Sequence, residues 1–186
     1  MKTPRNIIIT GASSGLGTAL AMEYAKTGNI LHLQGRNAGR LNKISESCRV
    51  RGATVYPQII DVVDAISMQN WIQFADSIAP LDLLIANAGI SAGTGGNGES
   101  SEQIRKIFAT NIDGVINSVQ PIIPLMQKRK SGQIAIMSSL AGIRALPGSP
   151  AYSASKACIR YYGESIRSNL LKCGISVSVI CPGYIK

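Results

Sequence analysis

Six short apolar stretches alternate with longer helix-like segments, and no other feature of the sequence restricts the fold so strongly. We predict strands at residues 5–10, 30–35, 54–59, 81–86, 133–138 and 176–181. Several of them are apolar on both faces, as strands covered by helices on both sides are. We predict helices between them, at residues 17–28, 39–52, 65–78, 100–132 and 151–174. The sequence therefore predicts an α/β fold with a doubly wound parallel sheet, in a single domain over residues 1–186.

The composition argues against several kinds of protein. No unbroken apolar run could cross a bilayer and the first residues lack a signal-peptide core, so we expect a cytoplasmic protein with no membrane span. The four cysteines lack CxxC spacing and only one histidine could join them, which predicts reduced thiols and no metal site. The net charge of +9 would suit a polyanion, but the basic run at residues 128–130 has no interleaved aromatic residues, so we predict no nucleic-acid partner.

The first predicted strand runs into the turn TGASSGLG, which contains three glycines and two serines. Glycines let a ligand approach the main chain, and the N–H groups at a helix start bind anions. The turn therefore indicates either a phosphate site or an ordinary strand-to-helix connection. In a doubly wound sheet the ligand lies beyond the carboxyl ends of the strands. Distinctive residues follow the other strands as well, namely GRN, Asp61, NAG, SSLAG and PG.

Tyr152 and Lys156 are four residues apart near a predicted helix start, so their side chains share one face. A free phenol titrates near pH ~10 and is a poor acid–base group at neutral pH. An adjacent ammonium favours the phenolate, and this makes the pair usable for proton transfer. The alternative is a packed tyrosine beside a surface lysine.

Six motifs, in order over nearly the whole chain, resemble those of the short-chain dehydrogenase/reductase family. They are TGASSGLG, NAG at residues 87–89, Asn111, SSLAG, YSASK and PG at residues 182–183. The glycine turn is similar to the TGxxxGxG pattern of the family's compact type and not to the TGxxGxxG pattern of its extended branch. The resemblance implies a Rossmann-type sheet with strand order 3-2-1-4-5-6.

The resemblance also implies a set of catalytic residues. Tyr152 donates or accepts the proton, and Lys156 tunes it and holds the nicotinamide ribose. Ser139, thirteen residues before the tyrosine, orients the substrate oxygen. Ser138 then supports the site or has a purely structural role. Asn111 corresponds to an asparagine that bends its helix around a water connected to the lysine, and a buried structural amide is the alternative.

The implied cofactor is a nicotinamide dinucleotide, and the end of the second strand predicts NADP(H). An NAD enzyme of this layout places a carboxylate there for the ribose 2′-hydroxyl, whereas this chain has Gly35 followed by Arg36. Arg36 can bind a 2′-phosphate through charge-assisted hydrogen bonds, or it is a solvated loop cation. Asp61 resembles a residue that meets the adenine amino group. The predicted cofactor-binding residues are Gly11, Ser13, Ser14, Gly15, Leu16, Gly17, Arg36, Asp61, Val62, Asn87, Ala88, Gly89, Tyr152, Lys156, Pro182, Gly183 and Ile185.

We therefore expect an oxidoreductase that transfers a hydride between nicotinamide and a small-molecule carbonyl or alcohol. The resemblance implies a homodimer or homotetramer that pairs through the helices starting near residues 101 and 151. Residues 90–99 and 140–150 are the candidate substrate walls, and they indicate no particular substrate. The family normally continues past this point into a cofactor-contacting threonine, a lid and a seventh strand, so we expect a longer functional protein. The alternative is a truncated, non-catalytic nucleotide-binding or interaction protein on the same fold.

Overall fold

The structure, a computed structural model, describes residues 3–91 and 98–184, and its strands form one six-stranded sheet. The strands are β1 (Asn6–Ile9), β2 (Ile30–Gly35), β3 (Thr54–Ile59), β4 (Leu83–Ala86), β5 (Gly132–Met137) and β6 (Ile175–Ile180). All neighbouring strands are parallel, and the spatial order is β3-β2-β1-β4-β5-β6. The predicted α/β fold class and strand order are confirmed.

Helices connect the strands and cover both faces of the sheet. They are α1 (Gly15–Tyr24), α2 (Ala38–Val50), α3 (Ala65–Ile78), α4 (Ser101–Phe108), α5 (Gly114–Val119), α6 (Ile123–Arg129) and α7 (Pro150–Leu171). A 3-10 turn, Leu140–Gly142, follows β5. Within the described ranges, no helix is both long enough and apolar enough to cross a membrane.

The central strand β1 explains why the strands could be recognised from their apolar faces. Ile7, Ile8 and Ile9 have no exposed surface. Ile8 belongs to the core that includes residues of α3, α5 and α7, whereas Ile7 and Ile9 belong to the core on the opposite face, with residues of α1 and α2. Alternate side chains of a strand point to opposite faces, so a strand covered on both sides is apolar throughout.

The predicted helix over residues 100–132 is interrupted in the structure. α4 continues through a π-helical turn, Ala109–Asp113, into α5, and the chain turns again before α6 begins. Pro121 lies in that second turn and Pro124 lies in the first turn of α6. Proline has no N–H to donate inside a helix but is tolerated in a first turn. The prediction of one uninterrupted helix is wrong, and its prolines account for the break before α6.

Candidate active site

A cleft of about 690 Å³ opens at the carboxyl ends of the strands. Residues at or just after the end of each of the six strands line it, which is where a doubly wound sheet holds its ligand. The predicted site residues that line it are Gly11, Ser13, Ser14, Gly15, Leu16, Gly17, Arg36, Asp61, Val62, Asn87, Ala88, Gly89, Ser139, Tyr152, Lys156, Pro182 and Gly183. Asn111 is fully buried and does not line the cleft. Ile185 lies outside the described residues.

The cleft also has a lining that the sequence analysis did not single out. These residues are Gln34, Arg40, Thr110 and Met137, while Asn37 of the motif GRN also lines the cleft. From the two predicted substrate walls, Ile90 and Ser91 line the cleft, whereas residues 140–150 do not. Residues 92–97 of the first wall lie outside the described residues.

The glycine turn between β1 and α1 is thin because two close approaches leave no room for side chains. Gly11 has a φ of 66°, and a Cβ atom there would lie 2.8 Å from the Cα of Ala88. A Cβ atom at Gly17 would overlap the carbonyl oxygen of Gly11. α1 therefore begins against the turn, and Ser14 at its N-cap makes no side-chain capping bond in the described chain. A bare turn at an uncapped helix start fits a dinucleotide pyrophosphate.

Hydrogen bonds from β2 and β4 fix the shape of this turn. The backbone N–H of Gly11 donates to Oε1 of Gln34 at 2.9 Å. The side-chain amide of Asn87 donates to the carbonyl oxygen of Thr10 at 3.0 Å, and the backbone N–H groups of Asn87 and Ala88 both donate to Oγ1 of Thr10 at 3.0 Å. The NAG motif thus joins the end of β4 to the end of β1, and its side-chain amide supports the glycine turn directly.

The end of β2 carries two cations and no carboxylate. A Cβ atom at Gly35 would lie 2.9 Å from Oγ of Ser13, so the chain here leaves little room for an acidic side chain. Arg36, 59% exposed, forms an ion pair with Asp61, with 3.4 Å between Nη1 and Oδ2. Arg40 lines the same cleft from the first turn of α2. The sequence signal for this cation is a second arginine four residues after Arg36, beyond the motif GRN.

Lys156 is buried under the cleft beside Tyr152. The residue is only 4% exposed, and its Nζ donates to the carbonyl oxygen of Met137 at 2.8 Å. Nζ lies 5.8 Å from the centre of the Tyr152 ring. Burial lowers the pKa of Lys156 to about 8. The ammonium is thus retained at neutral pH, close to the tyrosine, as the four-residue spacing predicts.

Ser138 and Ser139 have different surroundings at the end of β5. Ser138 is buried, and its hydroxyl donates to the carbonyl oxygen of Lys156 at 2.8 Å, so it ties β5 to α7. Oγ of Ser139 accepts the N–H of Ala141 at 3.1 Å and lies at the cleft. A hydroxyl that accepts one hydrogen bond still has its own hydrogen to donate. Ser139 can therefore donate to an oxygen in the cleft, whereas Ser138 supports the wall.

Asn111 lies in the π-helical turn, and its side chain joins this turn to Ile90 after β4 and to Ser155 of α7. Its Oδ1 accepts the N–H of Ile90 at 2.8 Å, and its Nδ2 donates to the carbonyl oxygen of Ile90 at 2.9 Å and to Oγ of Ser155 at 3.0 Å. A Cβ atom placed on Gly89 would lie 3.3 Å from Oδ1 of Asn111 and 3.2 Å from Nζ of Lys156. Asn111 thus stands next to the lysine, and the water-linked role implied by the resemblance stays a prediction.

Comparisons with known proteins agree with this geometry. The family model of short chain dehydrogenase matches residues 5–186. An uncharacterized oxidoreductase of Myxococcus xanthus is 38% identical over 183 residues, which are 98% of this chain and 72% of that protein. Ketoacyl reductase HetN of Nostoc sp. is 33% identical over 98% of this chain and 64% of its own length.

A solved structure shows the same fold. A short chain dehydrogenase/reductase of Burkholderia phymatum in complex with NAD has a TM-score of 0.89 and 28% identity, over 97% of this chain and 66% of that one. This chain therefore spans about two thirds of the length of the relatives it matches. The family match covers nearly all of the chain, including the glycine turn and the Tyr152–Lys156 pair, which are among the motifs on which the resemblance was based. The chain belongs to the short chain dehydrogenase family of nicotinamide-dependent oxidoreductases.

Proposed function

We propose that the protein is an NADP(H)-dependent oxidoreductase that acts on the carbonyl or alcohol group of a small molecule. The observation that carries this proposal is the buried Lys156, held by Met137 beside Tyr152, in the same cleft as the glycine turn. A protein that only bound a nucleotide could use the glycine turn and a ribose contact from Lys156, but it would not need the ammonium to make the proton of a neighbouring phenol transferable. Burying a charge costs stability, and a functional site is where such a cost is offset.

The roles of the chain's own residues follow from their contacts. When bound, the nicotinamide supplies or accepts the hydride. Ser139 donates a hydrogen bond to the substrate oxygen and orients it, because its Oγ accepts from Ala141 N–H and its own hydrogen remains available to donate. Tyr152 gives its hydroxyl proton to that oxygen in reduction and takes a proton back in oxidation. The ammonium of Lys156 stabilises the phenolate that remains after the proton has left.

The preference for NADP(H) rests on the charges at the end of β2. Gly35 offers no carboxylate to a ribose 2′-hydroxyl, and Arg36 and Arg40 both line the cleft there. Arg36 is paired with Asp61 at 3.4 Å, whereas Arg40 has no acidic partner in the described part of the chain. A 2′-phosphate can accept from both guanidinium groups, and charge-assisted bonds of this kind are strong.

We also propose that the protein self-associates as a homodimer or homotetramer. α4 and α7 expose aromatic side chains, with Phe108 37% exposed and Tyr161 64% exposed. Aromatic residues are enriched where subunits meet. The cytoplasmic location stays a prediction.

The test is oxidation of NADPH by the purified protein in the presence of carbonyl compounds of several classes: a sugar, a steroid, an acyl thioester and a small ketone. Tyr152→Phe removes the proton donor, and we expect it to lower turnover by about 10²-fold or more while NADPH binding stays close to that of the wild type. Tyr161→Phe, on the same helix but exposed, is the matched control and should leave turnover unchanged. If Tyr152→Phe stays active, the mechanism is wrong. If NADPH binds but no carbonyl is reduced, the non-catalytic alternative is correct.

A further inference from the structure

Glu99, an acidic residue outside the proposed catalytic set, contacts the start of the helix that carries Tyr152. Its Oε2 accepts the backbone N–H of Ala151 at 2.6 Å, and its Oε1 accepts the backbone N–H of Tyr152 at 3.3 Å. The two partners are 52 and 53 residues away in the sequence. A single carboxylate therefore joins the segment after β4 to the first turn of α7.

These two N–H groups are the ones that α7 cannot satisfy by itself. The first residue of the helix is Pro150, which has no N–H, and the first i→i−4 bond runs from Ser153 to the carbonyl oxygen of Ser149 at 3.0 Å. Ser149 occupies the N-cap but makes no side-chain capping bond. A negatively charged carboxylate at this end also interacts favourably with the positive end of the helix dipole. Glu99 thus performs, from a distant segment, the capping that Ser149 leaves undone.

The backbone beside Glu99 is itself held in place. Ser100 and Gln103 form a capping box at the start of α4, with Ser100 N–H donating to Oε1 of Gln103 at 2.8 Å and Gln103 N–H donating to Oγ of Ser100 at 3.3 Å. Because both bonds are made within the first turn of α4, the segment that carries Glu99 starts from a defined helix end.

The chain that follows Glu99 contacts α7 a second time, at Ser155, one turn further along α7. α4 runs into the π-helical turn, where Asn111 donates to Oγ of Ser155 at 3.0 Å, and Ser155 donates in turn to the carbonyl oxygen of Tyr152 at 2.7 Å. Glu99, just before α4, therefore accepts from the N–H of Tyr152, and Ser155, held by Asn111, donates to its C=O. The tyrosine backbone is held from both sides.

We propose that Glu99 is a positioning residue for Tyr152, and this inference rests on the proposed function. By accepting from the Ala151 and Tyr152 N–H groups, Glu99 sets the first turn of α7 and thereby the direction of the phenol relative to Ser139. Loss of the carboxylate frays that turn and lowers the fraction of time in which the hydroxyl points at the substrate oxygen. It leaves the glycine turn and the bond from Lys156 to Met137 in place, so NADPH binding should stay close to that of the wild type.

The kinetic test compares Glu99→Ala and Glu99→Gln with the wild-type protein. Without an acceptor, Glu99→Ala should lower kcat by on the order of tenfold, with an unchanged KM for NADPH. Glu99→Gln keeps one acceptor oxygen and should recover part of the loss. Glu102→Gln is the matched control, because Glu102 is an exposed acid of the same helix start whose described partner is Lys106 and not α7. A kcat within about twofold of wild type in Glu99→Ala overturns the inference, as does a parallel loss of NADPH binding.

A second measurement does not depend on activity. Amide hydrogen exchange should show the Ala151 and Tyr152 N–H groups protected in the wild-type protein and exchanging faster in Glu99→Gln, which keeps the size of the side chain. Free exchange of the Tyr152 N–H in the wild-type protein overturns the inference even if Glu99→Ala does not fold. If the protein reduces no carbonyl at all, the proposed function fails while the exchange result still reports on the Glu99 contact.

Discussion

Mild acid should destabilise this protein through its only histidine, His32. His32 is fully buried in β2. Its Nε2 lies 3.0 Å from Oδ1 of Asn6, its ring stacks on Tyr56 at 5.2 Å between centroids, and its Nδ1 has no hydrogen-bond partner in the described chain. A neutral imidazole fits this site, because its Nε2–H can donate to Oδ1 of Asn6. A second proton on the buried Nδ1 would have no acceptor in the described chain. Burial accordingly lowers the pKa of His32 from 6.5 to about 4.

The sign of the effect follows from which state binds the proton. Below pH 6.5, His32 is protonated in the unfolded chain but not in the folded protein. The free energy of unfolding therefore decreases as the pH is lowered, until His32 is protonated in both states near pH 4. At ~1.4 kcal/mol for each pH unit, the whole interval is worth roughly 3 kcal/mol, of which about 2 kcal/mol is lost above about pH 5. Hydrogen bonds from Ser67 hold the pKa of Asp64 below 3.8, so this carboxylate stays charged over that interval.

Urea unfolding measured between pH 7 and about pH 5 tests this account. With a slope of about 2 kcal/mol per M, the wild-type midpoint should fall by roughly 1 M. His32→Gln is the control, because its amide can donate to Asn6 in place of Nε2 but does not titrate, and its midpoint should stay nearly constant over the same range. If the two proteins show the same pH dependence, His32 is not the group responsible and the reasoning is refuted.

Three further predictions concern the cleft and the surface. Arg36→Ala and Arg40→Ala should each weaken NADPH binding about tenfold and leave NADH binding nearly unchanged; titrations in which the ratio of the two affinities does not move would contradict the cofactor proposal. Because burial lowers the pKa of Lys156 to about 8, the ammonium form and with it kcat should decline as pH rises through about 8. In Lys156→Arg the guanidinium stays charged, so a pH profile that keeps the same alkaline limb in that variant would rule Lys156 out as its source. Light scattering at micromolar concentration should give a dimer or tetramer mass, and a monomer mass would count against self-association.

The fold was predictable because its strands are covered on both faces. Three of the four residues of β1 are isoleucines buried on its two faces. The start of the helix at 65–78 is marked by Asp64, whose side chain accepts from the Ser67 N–H at 3.0 Å. The break before α6 was also visible in the sequence, as Pro121 and Pro124, but the prediction of one long helix ignored both. The resemblance implied a bend at Asn111, but its π-helical form was not readable from the local sequence, because Asn111 makes tertiary bonds there to Ile90 and Ser155.

Some residues of the candidate site could likewise be predicted from the sequence, and others could not. Residues directly after strands, such as Asp61 and Pro182, could be chosen because parallel strands bring their carboxyl ends to one edge. Glu99 could not, since nothing in its local sequence reveals that it reaches a helix start more than 50 residues away. Arg40 falls between these cases, because its spacing from Arg36 was a signal that the sequence analysis did not use.

Transfer of deuterium tests the central claim most directly. NADPH carrying deuterium at C4 of the nicotinamide is incubated with the protein and a carbonyl compound that it turns over, and the alcohol product is analysed by mass spectrometry. We predict one deuterium atom on the former carbonyl carbon with the wild-type protein and almost no product with Tyr152→Phe. An alcohol without deuterium, or labelled product formed equally by Tyr152→Phe, would contradict hydride transfer at this site with Tyr152 as the proton donor.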